Sequence, residues 1–144
     1  MQRLVSHTER WRYEYRGVVF EISKRDRVPT PFWAYYIYIP LDIMPTSLRE
    51  KFWLTPTRVN GKIMWGLQEN TFLNKEMFWH AGGPDYYKKI GGHDDTPKLV
   101  KIGCGFGGDW EKHIEYGREN LDWEACLTID SFTKLVLGWP NRHD

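Results

Sequence analysis

Apolar and polar residues alternate along RWRYEYRGVVFEISKRD, residues 10–26. A period of two is typical of a β-strand with one buried face. The apolar positions fall into two series: Trp11, Tyr13 and Tyr15, then Val18, Phe20 and Ile22. Because the phase changes at Arg16-Gly17, the pattern predicts a hairpin or a strongly bulged strand at that point.

The following segments predict a strand, a helix and a second hairpin. TPFWAYYIYIP, residues 30–40, is rich in β-branched and aromatic residues and lies between prolines, which is typical of a well-buried strand. Ser47-x-x-Glu50 has the spacing of a capping box, so we expect a short helix that ends before Pro56. Asn60-Gly61 between two short apolar runs predicts a type I′ hairpin.

The centre of the chain combines aromatic residues with glycine-rich turns. NKEMFWHAGGPDYYKKIGG, residues 74–92, predicts a strand, a turn, and a second strand or loop. TPKLVKIGCGFGG, residues 96–108, predicts a strand that leads directly into a glycine-rich loop.

Helical periodicity is clearest in NLDWEACLTIDSFTKLVLGWP, residues 120–140. Asn120 is the expected N-cap, and Gly138 with Pro140 should end the helix. One face of this helix carries Ala125, Ile129, Phe132 and Val136. The complete pattern predicts an α+β fold, with a mostly antiparallel sheet packed by a long C-terminal helix plus one short helix, in a single domain spanning residues 1–144.

Charge and cysteine content restrict the classes of function. The 144 residues include 20 basic and 19 acidic side chains and have a formal net charge of +1, which disfavours both a non-specific DNA-binding protein and an acidic DNA mimic. The two cysteines, Cys104 and Cys126, form no CxxC pattern, so we expect free thiols in a reducing cytosol. No segment has the length and apolarity of a signal peptide or a bilayer span, so we expect a cytosolic protein without a membrane partner.

Aromatic residues are the strongest feature of the composition, with eight Trp, eight Tyr and seven Phe. They suit a β-rich core as well as a binding surface. In FWHAGGPDYYKKIGG, residues 78–92, aromatic rings stand beside glycines and lysines, a combination that can stack on a nucleotide and neutralise its phosphate. The alternative interpretation of this stretch is an exposed hairpin with a Gly-Gly-Pro-Asp turn. The candidate ligand-binding residues are Trp79, His80, Gly82, Gly83, Tyr86, Tyr87 and Lys88.

A second candidate region follows the strand that ends near residue 106. Its glycines lack the order of a P-loop or a dinucleotide-binding motif, but their exposed N–H groups can form a concave anion site. A tight connection that requires positive φ explains the same glycines equally well. The candidate residues of this loop are Gly105, Phe106, Gly107 and Gly108.

Catalytic chemistry finds less support in the motifs. No HExxH sequence or helical ligand pair occurs, and GGHDDTP has the composition of a loop tip, so we expect no metal and no other cofactor. Neither a nucleophile elbow nor a pair of H-x-[ST] motifs is present. The residues that would have to converge to form a metallohydrolase are His80, His93, Asp94, Asp95, Asp109, Glu111 and His113.

WHAGGPDYY, then KIGCGFGGDWE, and a closing helix together resemble a family of small, mostly uncharacterised phage proteins. Members of this family typically have W/V-H-G-G-x-T-Y, then I-G-F/C-D-x-x-H-x-x-D, then a terminal helix. The resemblance covers roughly residues 75 to 137. The positions that match the motifs are His80, Gly82, Gly83, Tyr86, Gly103 and Cys104.

The chain also departs from the motifs of this family. Ala81 is an insertion, and Pro84-Asp85 replaces the usual apolar-Thr pair. In the second motif two of the three side chains with ligand chemistry are lost, with Gly105 for Asp and Gly108 for His, and Glu111 replaces the last Asp. Retained glycines and aromatic residues suit binding of a ligand better than its cleavage.

The resemblance implies a phage counter-defence protein that sequesters a small nucleotide-derived immune signal, such as a cyclic nucleotide or a cyclic ADP-ribose-like molecule. Sites of this kind often lie between protomers, so we expect a homo-oligomer and no specific nucleic-acid partner. Two alternatives stay open. The protein could inhibit a bacterial defence enzyme by direct contact, as an anti-CRISPR or anti-restriction factor does, or it could hydrolyse the signal.

Overall fold

The structure is a computed structural model that describes residues 7–26, 31–54, 57–64, 71–79, 83–93, 96–106 and 117–141. Seven strands and three α-helices lie in these residues. In chain order they are β1 (Thr8–Tyr15), β2 (Val18–Arg25), β3 (Phe32–Pro40), α1 (Thr46–Arg49), β4 (Thr57–Val59), β5 (Lys62–Met64), α2 (Thr71–Glu76), β6 (Tyr86–His93), β7 (Thr96–Phe106) and α3 (Arg118–Gly138). Two 3₁₀ turns, Glu50–Phe52 and Trp139–Asn141, follow α1 and α3.

Five of the strands form one sheet in the order β1-β2-β3-β7-β6, and every neighbouring pair is antiparallel. Strands β4 and β5 form a separate two-stranded sheet. Helix α3 packs on one face of the large sheet, mainly against β3 and β2. This arrangement confirms the predicted α+β fold with an antiparallel sheet and a long C-terminal helix.

Both hairpins predicted from turn residues are present. The β1–β2 turn has positive φ at Arg16 (51°) and Gly17 (76°), and the β4–β5 turn has positive φ at Asn60 (52°) and Gly61 (80°). Positive φ at both central residues is the signature of a type I′ turn, whose twist matches that of the flanking strands. The alternative of a bulged strand at Arg16-Gly17 is therefore excluded.

The hydrophobic core lies between α3 and the large sheet. Its helix side is formed by Leu121, Ala125, Ile129, Phe132 and Leu135, all buried. The sheet side consists of the alternate residues of each strand, among them Phe20, Ile22, Tyr35, Ile37, Ile39, Val100 and Ile102. No helix in the described residues is both long and apolar enough to cross a membrane.

Two predicted helix caps differ from the observed ones. Helix α1 begins after Pro45 without a side-chain cap, and the Ser47 hydroxyl instead accepts a hydrogen bond from the indole N–H of Trp139 at 2.8 Å. Asn120 is the third residue of α3, and its side-chain oxygen accepts a hydrogen bond from the backbone N–H of Gly117, which is the observed N-cap. In both places a polar side chain satisfies a donor outside the position that sequence spacing suggests.

The segment before the glycine-rich turn is helical, so the strand predicted there is wrong. Helix α2 spans Thr71–Glu76, and the chain continues through Met77 without regular structure. Leu73 and Met77 are four residues apart and both buried, which is helical spacing. Met77 to Trp79 follow α2 without regular structure, and the buried Met77 packs with the same core as Leu73.

Candidate functional site

The five-stranded sheet has two faces of different chemistry. One face is covered by α3, and the other, called the open face here, carries the alternate residues of the same strands. Because the strand registers are in phase, Arg12, Glu21, Tyr36, Gly103 and Tyr86 form one row across the open face. A second row contains Glu14, Val19, Tyr38, Lys101 and Lys88.

A cavity of about 220 Å³ lies in the open face. It is lined by three cationic side chains, one carboxylate, three aromatic rings and the hydroxyl groups of one threonine, one serine and two tyrosines. The lining residues are Thr8, Arg10, Glu21, Ser23, Arg25, Phe32, Tyr36, Tyr86 and Lys101. Aromatic faces beside cations are the groups with which proteins hold the base and phosphate of a nucleotide.

Lys101 is at the centre of the aromatic residues of this face. Its ammonium nitrogen is 4.5 Å from the ring centroid of Tyr36, 5.4 Å from that of Tyr38 and 5.6 Å from that of Tyr86. Burial alone lowers the pKa of Lys101, but the hydrogen bond with Tyr38 and the charge of Glu21 outweigh it, so the net pKa is raised. Lys101 therefore holds a positive charge within the ring cluster.

The tyrosine rings are fixed against one another. Tyr36 and Tyr86 meet edge to face, with centroids 5.1 Å apart and an interplanar angle of 74°. Burial raises the pKa of Tyr36, partly opposed by its hydrogen bond with Ser23 and by the charge of Lys101. The Tyr36 hydroxyl accordingly stays protonated and can donate a hydrogen bond.

Glu21 supplies the negative charge of the cavity, although only 6% of its side chain is exposed. Arg10, Arg12 and Lys101 approach its carboxylate with N–O distances of 3.9, 3.4 and 3.5 Å. The Tyr38 hydroxyl donates to the same carboxylate at 3.4 Å. A carboxylate inside a protein is costly without such partners, so these cations are the condition for its burial.

Glycines in β7 make room for the rings. A Cβ atom at Gly103 would lie 2.3 Å from Cδ1 of Tyr36, and one at Gly105 would lie 2.4 Å from Cζ of Phe32. Aromatic residues placed across from glycine in a sheet cover the exposed backbone of the neighbouring strand. These two glycines thus have a packing role on the open face. The N–H of Gly105 donates to the side chain of Asp85 at 3.1 Å.

Of the predicted ligand-binding residues, Tyr86, Lys88 and Gly105 lie on the open face. Tyr86 lines the cavity, whereas Lys88 is exposed beside Lys101 on the edge strand β6. Phe106 is the last residue of β7, where it pairs with Trp33. The sequence-based site and the cavity therefore overlap mainly at Tyr86.

Trp79 and Tyr87 belong to the core. The Trp79 side chain is buried, and its indole N–H donates to the carbonyl of Leu73 at 3.0 Å. The Tyr87 hydroxyl donates to the carbonyl of Phe52 and accepts a hydrogen bond from the N–H of Leu54 at 3.1 Å. Both polar groups are committed to the fold, because each satisfies a backbone group near a short helix. These contacts separate Trp79 and Tyr87 from the cavity.

Gly83 lies at a position that requires glycine. Its φ is +111°, and a Cβ atom there would lie 2.1 Å from Oδ1 of Asn74. The carbonyl of Gly83 accepts a hydrogen bond from the thiol of Cys104 at 3.4 Å. Gly83 thus joins α2 to β7, which explains its glycine without a ligand.

Several predicted residues lie outside the described residues: His80, Gly82, Gly107 and Gly108 of the candidate binding set, and Asp94, Asp95, Asp109, Glu111 and His113 of the candidate metal set. His93 ends β6. In the part of the chain that the structure describes, no three His, Cys, Asp or Glu side chains are grouped as metal ligands.

The two cysteines are free thiols, as predicted. Cys104 is buried in the core. Burial, together with the charge of Asp122 and a hydrogen bond to it, raises the pKa of Cys126 to about 11. A thiol nucleophile requires a lowered pKa, so Cys126 has the opposite electrostatic environment.

The cavity residues from the first three strands were not identified from the sequence. Arg10, Glu21, Ser23, Arg25 and Tyr36 occupy the polar or outward positions of segments read for their apolar face. The register of the β1–β2 hairpin would have indicated which polar residues of the two strands lie side by side. With a two-residue turn at Arg16-Gly17, the alternation places Arg12 opposite Glu21 and Arg10 opposite Ser23.

The chain was compared with known families, proteins and structures. No protein-family model matches the sequence, and no curated protein or solved structure matches the chain.

Proposed function

We propose that the open face of the sheet binds a small nucleotide-derived ligand and that the protein acts by sequestering it. The observation that carries this proposal is the cavity lined by Arg10, Arg25 and Lys101 together with the rings of Tyr36 and Tyr86. Aromatic rings stack on the base of a nucleotide, and guanidinium or ammonium groups bind its phosphate. Sequestration of a bacterial immune signal by a phage protein is the role that the resemblance implies.

The size of the cavity supports partial rather than complete enclosure of the ligand. About 220 Å³ is below the range of roughly 300–1,000 Å³ that is usual for small-molecule pockets. A cyclic dinucleotide would therefore project from the cavity, and a second protomer could cover the remainder. We keep a homo-oligomer as a prediction, measured by light scattering with and without ligand.

The test begins with purified protein and a panel of cyclic dinucleotides, cyclic trinucleotides and cyclic ADP-ribose isomers. Unbound ligand is removed, the protein is heat-denatured, and the supernatant is examined by mass spectrometry. An intact ligand released in near-stoichiometric amount supports sequestration. A converted product would show hydrolysis instead, and recovery of no ligand would contradict nucleotide binding.

A pair of double variants localises the site. Arg10→Gln with Arg25→Gln removes two cavity cations and should weaken binding about 10-fold or more, since a hydrogen bond to a charged group contributes about 1.5–3 kcal/mol. The matched control is Lys24→Gln with Arg118→Gln. These two cations lie over the rings of Trp33 and Trp11, away from the cavity, so their loss changes net charge equally but should not change affinity. Equal weakening by both pairs would contradict this site.

Inhibition of a host enzyme by direct contact is a second candidate, favoured by exposed apolar side chains on α3. Trp123 is 63% exposed and Leu137 is 74% exposed. Large exposed aromatic residues are common centres of protein interfaces. A pull-down from bacterial lysate with wild-type protein and Trp123→Ala tests this function, because a stoichiometric partner that is lost with the indole would support inhibition and argue against sequestration alone.

A further inference from the structure

The Glu21 carboxylate is buried at the cavity wall, and its contacts with the described residues are all long. Charge-assisted hydrogen bonds are normally about 2.7–2.9 Å long. The four groups that approach Glu21, from Arg10, Arg12, Tyr38 and Lys101, are all 3.4–3.9 Å away. The carboxylate is thus neutralised by surrounding charge, but its lone pairs can still accept shorter hydrogen bonds from a ligand.

The surroundings of Glu21 restrict which donor would bind there. A carboxylate accepts two parallel N–H groups from a planar partner. A ligand guanidinium satisfies this geometry but would be repelled by Arg10, Arg12 and Lys101. The ligand group that fits Glu21 is therefore an uncharged planar ring with two N–H donors along one edge. An acceptor next to these donors would contact one of the cations around Glu21.

Guanine has an edge of this kind. N1–H and the 2-amino group are adjacent donors, and O6 beside them is an acceptor. Adenine presents a ring acceptor, N1, where guanine presents a donor, and this lone pair would face the carboxylate. Two donors beside one acceptor therefore match Glu21 flanked by Lys101 and Arg12, whereas the adenine edge does not.

We propose that Glu21 is a specificity-determining residue that accepts the N1–H and 2-amino hydrogen bonds of a guanine base, so that the open-face cavity prefers guanine nucleotides. This proposal rests on the proposed nucleotide binding at the same site. Tyr36 is opposite Glu21 in the neighbouring strand and both line the cavity, so the edge of a base that enters the cavity beside Tyr36 meets the carboxylate. Arg10 and Arg25 then remain for phosphate.

The test compares cyclic di-GMP, cyclic GMP–AMP and cyclic di-AMP, all with the 3′,5′ linkage, by calorimetry. The three ligands have the same phosphate charge and one free hydroxyl on each ribose. They differ only in their bases, of which guanine alone offers two adjacent N–H donors. The di-guanine ligand should bind about 5- to 150-fold more tightly than the di-adenine ligand, the discrimination expected from one bidentate pair. The mixed ligand should bind nearly as tightly as the di-guanine ligand if a single base enters the cavity.

Glu21→Gln tests the residue itself. The substitution keeps the size of the side chain but replaces one acceptor oxygen by a donor, so the guanine preference should fall to near one. Glu14→Gln is the control, because it removes a carboxylate from an exposed position of the same sheet face and should leave the preference intact. If Glu21→Gln does not fold, Glu21→Asp is the second variant. It keeps the negative charge but shortens the side chain by one methylene, so the preference for guanine over adenine should again fall.

The outcomes separate this inference from the proposed function. Nucleotides that bind without guanine preference, or a preference that survives both substitutions at Glu21, would overturn the role of Glu21 and leave nucleotide binding in place. Failure of the wild-type protein to bind any nucleotide would overturn both proposals together.

Discussion

The two faces of the five-stranded sheet are formed by the same strands and differ in almost every other respect. The covered face consists mainly of aliphatic and aromatic side chains against α3, and its hydrogen bond between Tyr35 and Thr128 is buried and 3.0 Å long. The open face carries rings, cations and a buried carboxylate with long ion pairs. Alternation along a strand is sufficient to give one sheet two chemically different faces.

The contrast between short and long polar contacts indicates what each face contributes. Burial of apolar area and satisfied hydrogen bonds stabilise the fold, so the covered face should control stability. The open face keeps charges together that repel one another unless Glu21 or a ligand compensates them. It should therefore control binding while contributing less to the free energy of unfolding.

The largest expected effect comes from α3, because this helix also has one side buried in the core and one side exposed. Phe132 is 2% exposed and meets the ring of Phe52 at 6.0 Å, so Phe132→Ala should lower the free energy of unfolding by about 3–5 kcal/mol. Trp123→Ala, at a site 63% exposed, should change it by less than about 0.5 kcal/mol. Chemical denaturation of both variants measures the difference, and similar losses would contradict the assigned core.

An intermediate effect is expected from the glycines under the open-face rings. A Cβ atom at Gly103 would lie 2.3 Å from the Tyr36 ring and 2.6 Å from the carbonyl oxygen of Tyr35, and backbone cannot move aside. Gly103→Ala should therefore cost about 1–3 kcal/mol of stability. Gly138→Ala is the matched control, since no atom lies within 4 Å of its Cβ and alanine favours the helix by about 0.5–1 kcal/mol. Destabilisation by both variants would mean that crowding is not the cause.

The fold could be predicted largely because its local signals are strong. Arg16-Gly17 and Asn60-Gly61 have the positive φ values that their hairpins require, and Ile129 and Phe132 repeat at helical spacing on a buried face. Helix α2 was missed because it has only six residues, too few for its period to be distinguished from that of a strand. The caps at Ser47 and Asn120 depend on where Trp139 and Gly117 lie, and Trp139 is 92 residues from Ser47.

The candidate site was harder to predict, because it is assembled across strands. Lys101, Tyr36 and Glu21 are distant in sequence and meet only through the β2-β3-β7 order, which no local pattern specifies. Trp79 and Tyr87 have the chemistry of ligand-binding residues, but burial decides their role. Composition identifies aromatic residues, whereas only the sheet register determines which face they occupy.

The smallest expected effect compares the two faces most directly, because the adjacent residues Tyr35 and Tyr36 lie on the covered face and the open face. Tyr35→Phe removes a hydroxyl from the covered face, where it is bonded to Thr128 inside the core. We expect a loss of about 1–2 kcal/mol in the free energy of unfolding, since the partner hydroxyl stays buried. Ligand affinity should not change, because Tyr35 is fully buried on the side of the sheet away from the cavity.

Tyr36→Phe removes a hydroxyl from the open face, where the side chain is half-buried and its partner is Ser23. Stability should fall by less than for Tyr35→Phe, by about 0.5–1 kcal/mol, because Ser23 is buried but lines the cavity, where water can replace the lost partner. Affinity for the nucleotide identified in the ligand panel should fall several-fold if the Tyr36 hydroxyl donates to it. The substitution keeps the aromatic ring, so stacking itself should not change. Denaturation measures the stability of both variants, and calorimetry measures their ligand affinity. If the covered face controls stability and the open face controls binding, Tyr35→Phe should lower only the stability and Tyr36→Phe should mainly lower the affinity. Any other combination would contradict this assignment.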